Sequence, residues 1–232
     1  MLIQGITFET VDRSDICFAL DRLAHTSGDL FYDCRFIGGS ICMGIAVNEG
    51  PNCEHIMLNR CSFENGDIGW ANGNMNALMN MVHKGTFRNN RINIAMRRND
   101  VPSRAWPNCG VLSAEFIGTK EKDFEFEIHK ARYFLNITSD SPTLCTGSKS
   151  SKYYDIQFFE NCRWTAADDV FYESRTSAGP IFLYSRAAGG RLNVQPPTTN
   201  TGFALNLWSD IAGWEESVKA ADAQKVRFLK VD

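Results

Sequence analysis

The chain has 232 residues, of which 44% are hydrophobic and 22% are charged, and its net charge is −3. This composition is typical of a globular protein and excludes a disordered chain or one that coats nucleic acid through a basic surface. No apolar run approaches the roughly eighteen residues of a membrane-spanning helix, and the first residues lack the basic and apolar regions of a secretion signal. We therefore expect no nucleic-acid partner and no membrane span.

The eight cysteines do not predict a disulfide framework, because a chain of this length can bury a core without one. Cys34, Cys61 and Cys162 each stand two residues before an aromatic residue, inside strand-like runs. The spacings C-x-x-C and H-x3-H never occur together, so the sequence predicts no metal site and no cofactor. We expect reduced cysteines that pack as small hydrophobic side chains.

An internal repeat runs along the chain and has one inward position in each unit, here called the anchor column: Phe8, Phe36, Phe63, Phe87, Phe116, Ser139 and Trp164. Successive anchors are 23 to 29 residues apart. The residue five positions before each anchor is apolar, and the residue two positions before is never charged. This pattern indicates short units that bury their apolar faces only by stacking on one another.

Each unit contains a second short run after a turn. Gly and Asn, which tolerate left-handed backbone, follow the anchors at Gly38-Gly39, Asn65-Gly66, Asn89-Asn90 and Gly118-Thr119. The next run alternates with a period of two, which predicts that Ile41 and Met43 face inward and that Cys42 faces outward. Each unit is therefore expected to hold at least two short strands joined by a tight corner.

This pattern of columns and corners resembles the right-handed parallel β-helix, or pectin-lyase-like, superfamily, which includes the bodies of phage tailspikes. The resemblance covers residues 1–208 and implies an all-β, right-handed parallel β-helix of about seven to nine coils. Residues 209–232 are expected to cap the solenoid with a short helix and a strand. Because Ile3 already belongs to a full coil, we expect either a longer chain or a partner over the first coil. A β-sandwich stays open as the alternative, although it does not explain the matched columns.

Outward positions of coils two to four bring charged side chains onto one patch: Asp33, Arg35, Arg60, Glu64, Lys84 and Arg88, with His83 beside them. One interpretation is a groove that binds an anionic sugar chain. Arg60 or Lys84, held close to other cations, would then be the base for β-elimination. The alternative is a solvated face whose opposite charges pair weakly, each pair contributing about 0 to 1 kcal/mol.

A second candidate is the acidic pair Asp168 and Asp169, because glycoside hydrolysis uses two carboxyl groups. The pair looks like the one carried by polygalacturonase-like β-helices, but the other motifs of those enzymes and of pectate lyases are absent from this sequence. Turn chemistry explains an Asp-Asp pair equally well.

Two long connections are predicted at residues 70–80 and 97–108, where Trp70 and Trp106 could stack on sugar rings or close a loop onto the coil. The outward positions of the second strand in the first three coils are small and apolar, including Cys17, Cys42 and Gly69. We expect this flank to be covered by a preceding segment or a sister chain. Tailspike-like β-helices pack as trimers, so the resemblance implies a homotrimer.

The sequence thus favours the polysaccharide-recognising body of a tailspike-like, fibre-like or cell-surface-directed assembly. A polysaccharide lyase or glycoside hydrolase is the first alternative, and an inert structural spacer is the second. The sequence does not define a location; reduced cysteines fit a virion or surface fibre made in the cytoplasm.

Overall fold

The chain folds as a parallel β-solenoid, in a computed structural model that describes residues 1–20, 26–47, 53–73, 78–96, 108–126, 132–146, 157–166, 170–174, 179–194, 202–221 and 226–232. All strand pairings in this part of the chain are parallel and join one coil to the next. The prediction of an all-β solenoid is confirmed. Each full coil contributes one strand to each of three ladders, here called ladder A, ladder B and ladder C.

Ladder A consists of Leu2–Gln4, Leu30–Tyr32, Met57–Asn59, Leu78–His83, the first parts of Asn108–Ile117 and Arg132–Ser139, Gln157–Glu160, Pro180–Leu183, Gly202–Leu207 and Val226–Val231. Ladder B consists of Thr7–Glu9, Arg35–Ile37, Ser62–Glu64, Thr86–Arg88, the second parts of Asn108–Ile117 and Arg132–Ser139, Arg163–Trp164, the first part of Arg186–Val194, and Asp210–Gly213.

Ladder C consists of Ile16–Leu20, Ile41–Ile45, Ile68–Asn72, Ile92–Met96, Lys122–Phe126, Thr143–Thr146, Val170–Ser174 and the second part of Arg186–Val194. Two further short strands, Thr26–Ser27 and Cys53–Glu54, pair only with each other.

The anchor column forms an aromatic stack through the core. Strand register joins every predicted anchor to the next, from Phe8 to Trp164, and extends the column to Ala187 and Ile211. The Phe36 and Phe63 rings stack with centroids 5.5 Å apart, and Phe63 and Phe87 with centroids 4.6 Å apart. The predicted anchor alignment is therefore confirmed. Consecutive aromatic anchors stack face to face from Phe8 to Phe87, Phe116 meets Phe87 edge-on, and Ser139 interrupts the run of rings.

Ladder C departs from the predicted alternation. The partners keep a constant offset, for example Ile68 with Ile41 and Trp70 with Met43, but Gly69 and Cys42 between them are not paired with each other. At this position the strands leave strict alternation, and two successive side chains face the core. Cys42 and Met43 are thus both fully buried in the main core, whereas Ile41 packs against a separate apolar cluster. The predicted directions of Ile41 and Cys42 are wrong.

From the second coil onward, the apolar flank expected to need a second chain is already buried within this one, whereas in the first coil Cys17 is half-buried and Ala19 is exposed. Ile68, Ala71, Ile92 and Ala95 are at most 1% exposed, and Val47 of the same chain packs with them. Cys42 and Gly69, predicted to belong to the exposed flank, are also buried. From the second coil onward, this flank therefore carries no argument for a trimer.

The end of the chain contains the expected helix and strand. The helix Trp214–Ala221 has Glu215 and Glu216 in its first turn and Lys219 in its last, which suits the helix dipole. Asp210–Gly213 and Val226–Val231 on either side of it pair with the preceding coil, so ladders A and B both continue beyond residue 208.

Candidate functional site: an exposed corner column

A column of left-handed residues forms the corner between ladders A and B. Its members stand three positions before the anchors and are here called the corner column: Gly5, Asp33, Arg60, Lys84, Ser113, Asn136, Asn161, Tyr184 and Trp208. Their φ angles lie between +49° and +67°. Non-glycine residues adopt this conformation uncommonly, so the fold itself imposes it at every coil.

Backbone hydrogen bonds hold the corner column in place. The N–H of Arg60 donates to the carbonyl of His83 at 2.8 Å, and that of Lys84 donates to the carbonyl of Leu112, also at 2.8 Å. Tyr184 and Trp208 donate in the same way to Leu207 and Val231. Successive side chains are therefore about one strand spacing apart, near 4.8 Å. The column is a straight, rigid row along the solenoid axis.

The N-terminal half of the corner column is charged. Arg60 Nε lies 2.8 Å from Asp33 Oδ1, and its Nη1 donates to Tyr32 Oη at 3.0 Å. Its guanidinium carbon is also 5.1 Å from the centroid of the Tyr32 ring. Lys84, the next residue of the column, is exposed and has no ion pair among the described residues. The predicted neighbours Asp33, Arg60 and Lys84 are thus on consecutive coils.

Ladder B carries the rest of the predicted patch. Arg35 Nη2 lies 3.2 Å from Glu64 Oε2, and Ser62 Oγ donates to Glu64 Oε1 at 2.7 Å. Burial tends to raise the pKa of Glu64, but hydrogen bonds from Arg35 and Ser62 and the charge of Arg88 bring it below its ordinary value. Arg88 itself is exposed on the adjacent strand, in register with Glu64. These side chains form a weakly paired polar face.

The other predicted site residues fall in three places. His83 is half-buried on ladder A, one residue before Lys84. Trp70 is fully buried in the strand Ile68–Asn72, so its ring is not available for stacking and the expectation for it is corrected. The predicted connection at 70–80 begins instead after this strand. Asp168, Asp169 and Trp106 lie outside the described residues.

Residues at the other end of the corner column were missed by the sequence analysis. Asn161 Nδ2 donates to Asn136 Oδ1 at 2.7 Å, which makes a short amide ladder. Tyr184 and Trp208 continue the same column and stack on each other, with centroids 5.5 Å apart and an angle of 16° between the rings. Counting three residues back from Ala187 and Ile211 would have identified both aromatic residues.

A group of polar residues around one titratable residue, Asp123, is enclosed in the core. The carboxylate of Asp123 accepts hydrogen bonds from Asn93 Nδ2 and Ser139 Oγ, both at 2.9 Å, and Asn93 also donates to Thr119 Oγ1 at 2.7 Å. Asp123, Asn93 and Ser139 have no exposed surface. These residues therefore stabilise the interior and do not meet a substrate.

An ion-pair cluster lies at the corner between ladders B and C. Arg91 Nε is 2.5 Å from Asp67 Oδ1, and Arg91 also pairs with Glu121. Lys122 Nζ, which is mostly buried, lies 2.9 Å from Glu121 and 3.1 Å from Glu125. The hydrogen bond to Asp67, with a further one to Glu121, raises the pKa of Arg91 despite partial burial. Among these five residues, both cations are paired with carboxylates, so neither is free to bind an anionic ligand.

Comparison with protein-family models, curated protein sequences and solved structures gives no significant match. Among the described residues, no group of three or more His, Cys, Asp or Glu side chains is placed to hold a metal ion. The same residues include no helix that is long and apolar enough to cross a membrane.

Proposed function

We propose that this protein is a polysaccharide-recognising solenoid body, and that a linear acidic polysaccharide lies along the corner column. The observation that carries this proposal is the continuous row of polar side chains from Asp33 to Asn161, with one side chain per coil, all of them exposed except the half-buried Asp33 and Ser113. A linear polymer presents similar groups at regular intervals, and a row with a regular spacing can contact several of them at once. Such repeated contacts add avidity even when each one is weak.

The charges of the row favour an anionic sugar chain. Lys84 has no competing carboxylate among the described residues, and the exposed pair of Arg60 with Asp33 is a surface ion pair of small net stability. A carboxylate or sulfate of the ligand can therefore bind Lys84 directly and share Arg60 with Asp33. Arg88, on the neighbouring strand of ladder B, extends the cationic surface.

We rank binding ahead of catalysis because the candidate catalytic cations lie in ordinary surface surroundings. Arg60 is half-exposed and ion-paired, and the side chain of Lys84 contacts no described group that would hold it as a base. Elimination by either cation would need such a positioned group within hydrogen-bond reach of the reacting proton.

The proposal is tested by incubating the protein with polygalacturonate, alginate, hyaluronate and neutral dextran. We expect retention by at least one acidic polymer, no retention by dextran, and neither new absorbance near 235 nm nor new reducing ends. New absorbance would indicate elimination, and new reducing ends without it would indicate hydrolysis. If neither retention nor turnover occurs with any acidic polymer, the proposed function is wrong.

We further propose that the body assembles with copies of itself through the outer face of ladder A, as the resemblance to tailspike β-helices suggests. One outward column of this ladder is largely apolar: Leu2, Leu30, Met57, Met81, Gly110, Tyr133, Phe158, Ile181, Leu205 and Leu229. The column beside it is apolar at Leu112, Leu135, Leu183, Leu207 and Val231 but carries Gln4, Tyr32, Asn59, His83 and Glu160 in the other coils. Leu229 is 55% exposed and Met57 is 38% exposed.

A second copy fits this face because the first of these columns places an apolar residue in nearly every coil, so two such faces can pack their apolar columns together. Its flat footprint is on the order of 400 Å² from strand rise and spacing. Side chains along the rims would have to add about as much again to reach the roughly 800 Å² per partner of a stable interface. We expect light scattering to give a trimer that Met57→Lys and Leu229→Lys dissociate together. A monomeric wild type would overturn this assembly.

A further inference from the structure

Two large aromatic residues end the corner column without being buried. Tyr184 is 56% exposed and Trp208 is 52% exposed, and both have left-handed backbone with φ near +50°. Bulky residues rarely adopt this conformation, and an exposed ring gains little from burial. Packing within the chain therefore does not explain why the two largest side chains of the column stand here.

The backbone under the two rings is rigid. Ser185 Oγ donates to carbonyl oxygens of Phe159 and Leu183 and accepts from the N–H of Cys162. Ser209 repeats the arrangement one coil later: its N–H donates to Asn206 Oδ1, and its Oγ accepts from the N–H of Ser185. Each aromatic residue thus precedes a serine that is held by several hydrogen bonds. A platform fixed in this way loses little conformational entropy when a ligand binds.

The rings keep their polar groups free. Within the described part of the chain, neither Tyr184 Oη nor Trp208 Nε1 has a hydrogen-bond partner, and no other aromatic ring or cation contacts either ring. Both groups can donate to a ligand. Because the two rings stack on each other, each covers one face of the other, and the outer face of each ring is the apolar surface left for a ligand. A flat apolar surface with hydrogen-bond donors at its edge suits the face of a pyranose ring, which carries C–H groups in the middle and hydroxyls around the rim.

Two arginines stand beside the platform. Arg186 follows Tyr184 by two residues and pairs in register with Arg163 on the previous coil, and both side chains are exposed. Neither has an ion pair among the described residues. Two exposed cations about one strand spacing apart attract an anion, and guanidinium groups bind carboxylates and sulfates in a bidentate manner.

We infer that Tyr184 and Trp208 form a binding platform for a pyranose ring of an acidic sugar, with Arg186 and Arg163 holding the carboxylate or sulfate of that sugar. The inference rests on the proposed polysaccharide function and assigns its principal sugar subsite to the aromatic end of the corner column. The charged N-terminal half then binds a more distant part of the same chain.

The experiment measures binding of the acidic polysaccharide that retains the wild type, by quenching of tryptophan fluorescence and by affinity electrophoresis. We expect Trp208→Ala and Tyr184→Ala each to weaken binding tenfold or more, and Trp208→Tyr to restore most of it, because the flat ring is what the sugar contacts. Met79→Ala is the control, since Met79 is equally exposed at 56%, also has positive φ at 55°, and lies away from the column. It should bind like the wild type.

The outcomes separate this inference from the function on which it rests. If Trp208→Ala and Tyr184→Ala bind normally while Lys84→Glu loses binding, the platform is wrong and the proposed function stands. If the wild type binds no acidic polymer, both fail. If the urea-unfolding midpoint of Trp208→Ala falls strongly, its loss of binding could come from unfolding, and the Trp208→Tyr variant is used in its place. Weak binding by a stable Trp208→Tyr protein would contradict the platform.

Discussion

Trp164 donates its indole N–H to Oδ2 of Asp123 over 3.1 Å, and this bond joins ladder B to ladder C inside the solenoid. The two residues are 41 positions apart in sequence. Burial raises the pKa of Asp123 to about 7, although hydrogen bonds from Ser139, Asn93 and Trp164 lower it, because a charged carboxylate is costly in the core. The buried acid therefore titrates near neutral pH.

Asp123 should make the stability of the protein depend on pH. The folded pKa, about 7, lies above the ordinary value of 3.8, so between these values the folded state keeps a proton that the unfolded state has lost. The stability that the protonated carboxyl of Asp123 contributes is complete at the acidic end of this range, and it is lost as the pH rises through about 7. Asp123→Asn serves as the reference because its amide does not titrate. We expect the difference in unfolding free energy, wild type minus Asp123→Asn, to fall by up to about 4 kcal/mol between pH 4 and pH 8. Urea unfolding followed by fluorescence measures this difference, and a constant difference would contradict it.

The aromatic stack should dominate the stability of the middle coils. Phe63 is fully buried and its ring stacks on both Phe36 and Phe87. We expect Phe63→Ala to lower the unfolding free energy by about 3 to 5 kcal/mol through lost burial and a cavity. Val11→Ala is the control, because Val11 is 95% exposed and should change stability by less than about 0.5 kcal/mol. Equal effects of the two substitutions in urea unfolding would contradict this account of the core.

Because the backbone of the corner column is left-handed, the stability of the protein should depend on which residue replaces Lys84. Lys84 has φ of 54° and an exposed side chain, so replacing it changes few contacts. We expect Lys84→Val to be less stable than Lys84→Gly by about 1 to 2 kcal/mol, because a β-branched residue is strained in this region and glycine is not. Thr86→Val, two residues later in a regular strand, serves as the control and should cost little. Equal urea midpoints for the two Lys84 variants would show that the corner is not left-handed.

Cys42 should resist thiol reagents. Its Sγ donates to the carbonyl of Glu64 at 3.4 Å, and burial raises the pKa of the thiol to about 12. Cys17, in the first coil, is only half-buried. Peptide mass spectrometry after brief labelling of the native protein should therefore find Cys17 modified before Cys42. As a control, Cys17→Ser should remove that first modification. Early labelling of Cys42 would contradict its burial and would mean that its side chain faces outward, as the sequence predicted.

The ladders A and B could be predicted from the sequence because each coil repeats its inward residues at the same offsets. Phe31, Leu58 and Val82, all five residues before an anchor, are in register and fully buried. Ladder C could not be predicted in the same way. Strict alternation assumes a regular strand, and in Ile41–Ile45 the neighbouring side chains of Cys42 and Met43 both face the main core.

The candidate site was predicted only at its charged end. Asp33, Arg60 and Lys84 were identified because charge stands out in an outward column, but their left-handed backbone was not, since none of them is Gly or Asn. Tyr184 and Trp208 were missed for a different reason. The anchors that locate them are Ala187 and Ile211, which lack the aromatic ring that marked the earlier coils. The buried position of Asp123 depends on contacts between distant coils, and no local pattern records it.

The most direct test of acidic polysaccharide binding along the corner column is affinity electrophoresis with two matched charge reversals. Lys84→Glu changes the column, whereas Lys120→Glu makes the same change of charge at an exposed residue between ladders B and C. In gels that contain the bound acidic polysaccharide, we expect wild type and Lys120→Glu to be retarded equally and Lys84→Glu to be retarded clearly less than either, because one of several contacts along the column is lost. Equal retardation of the two variants would contradict binding along this column.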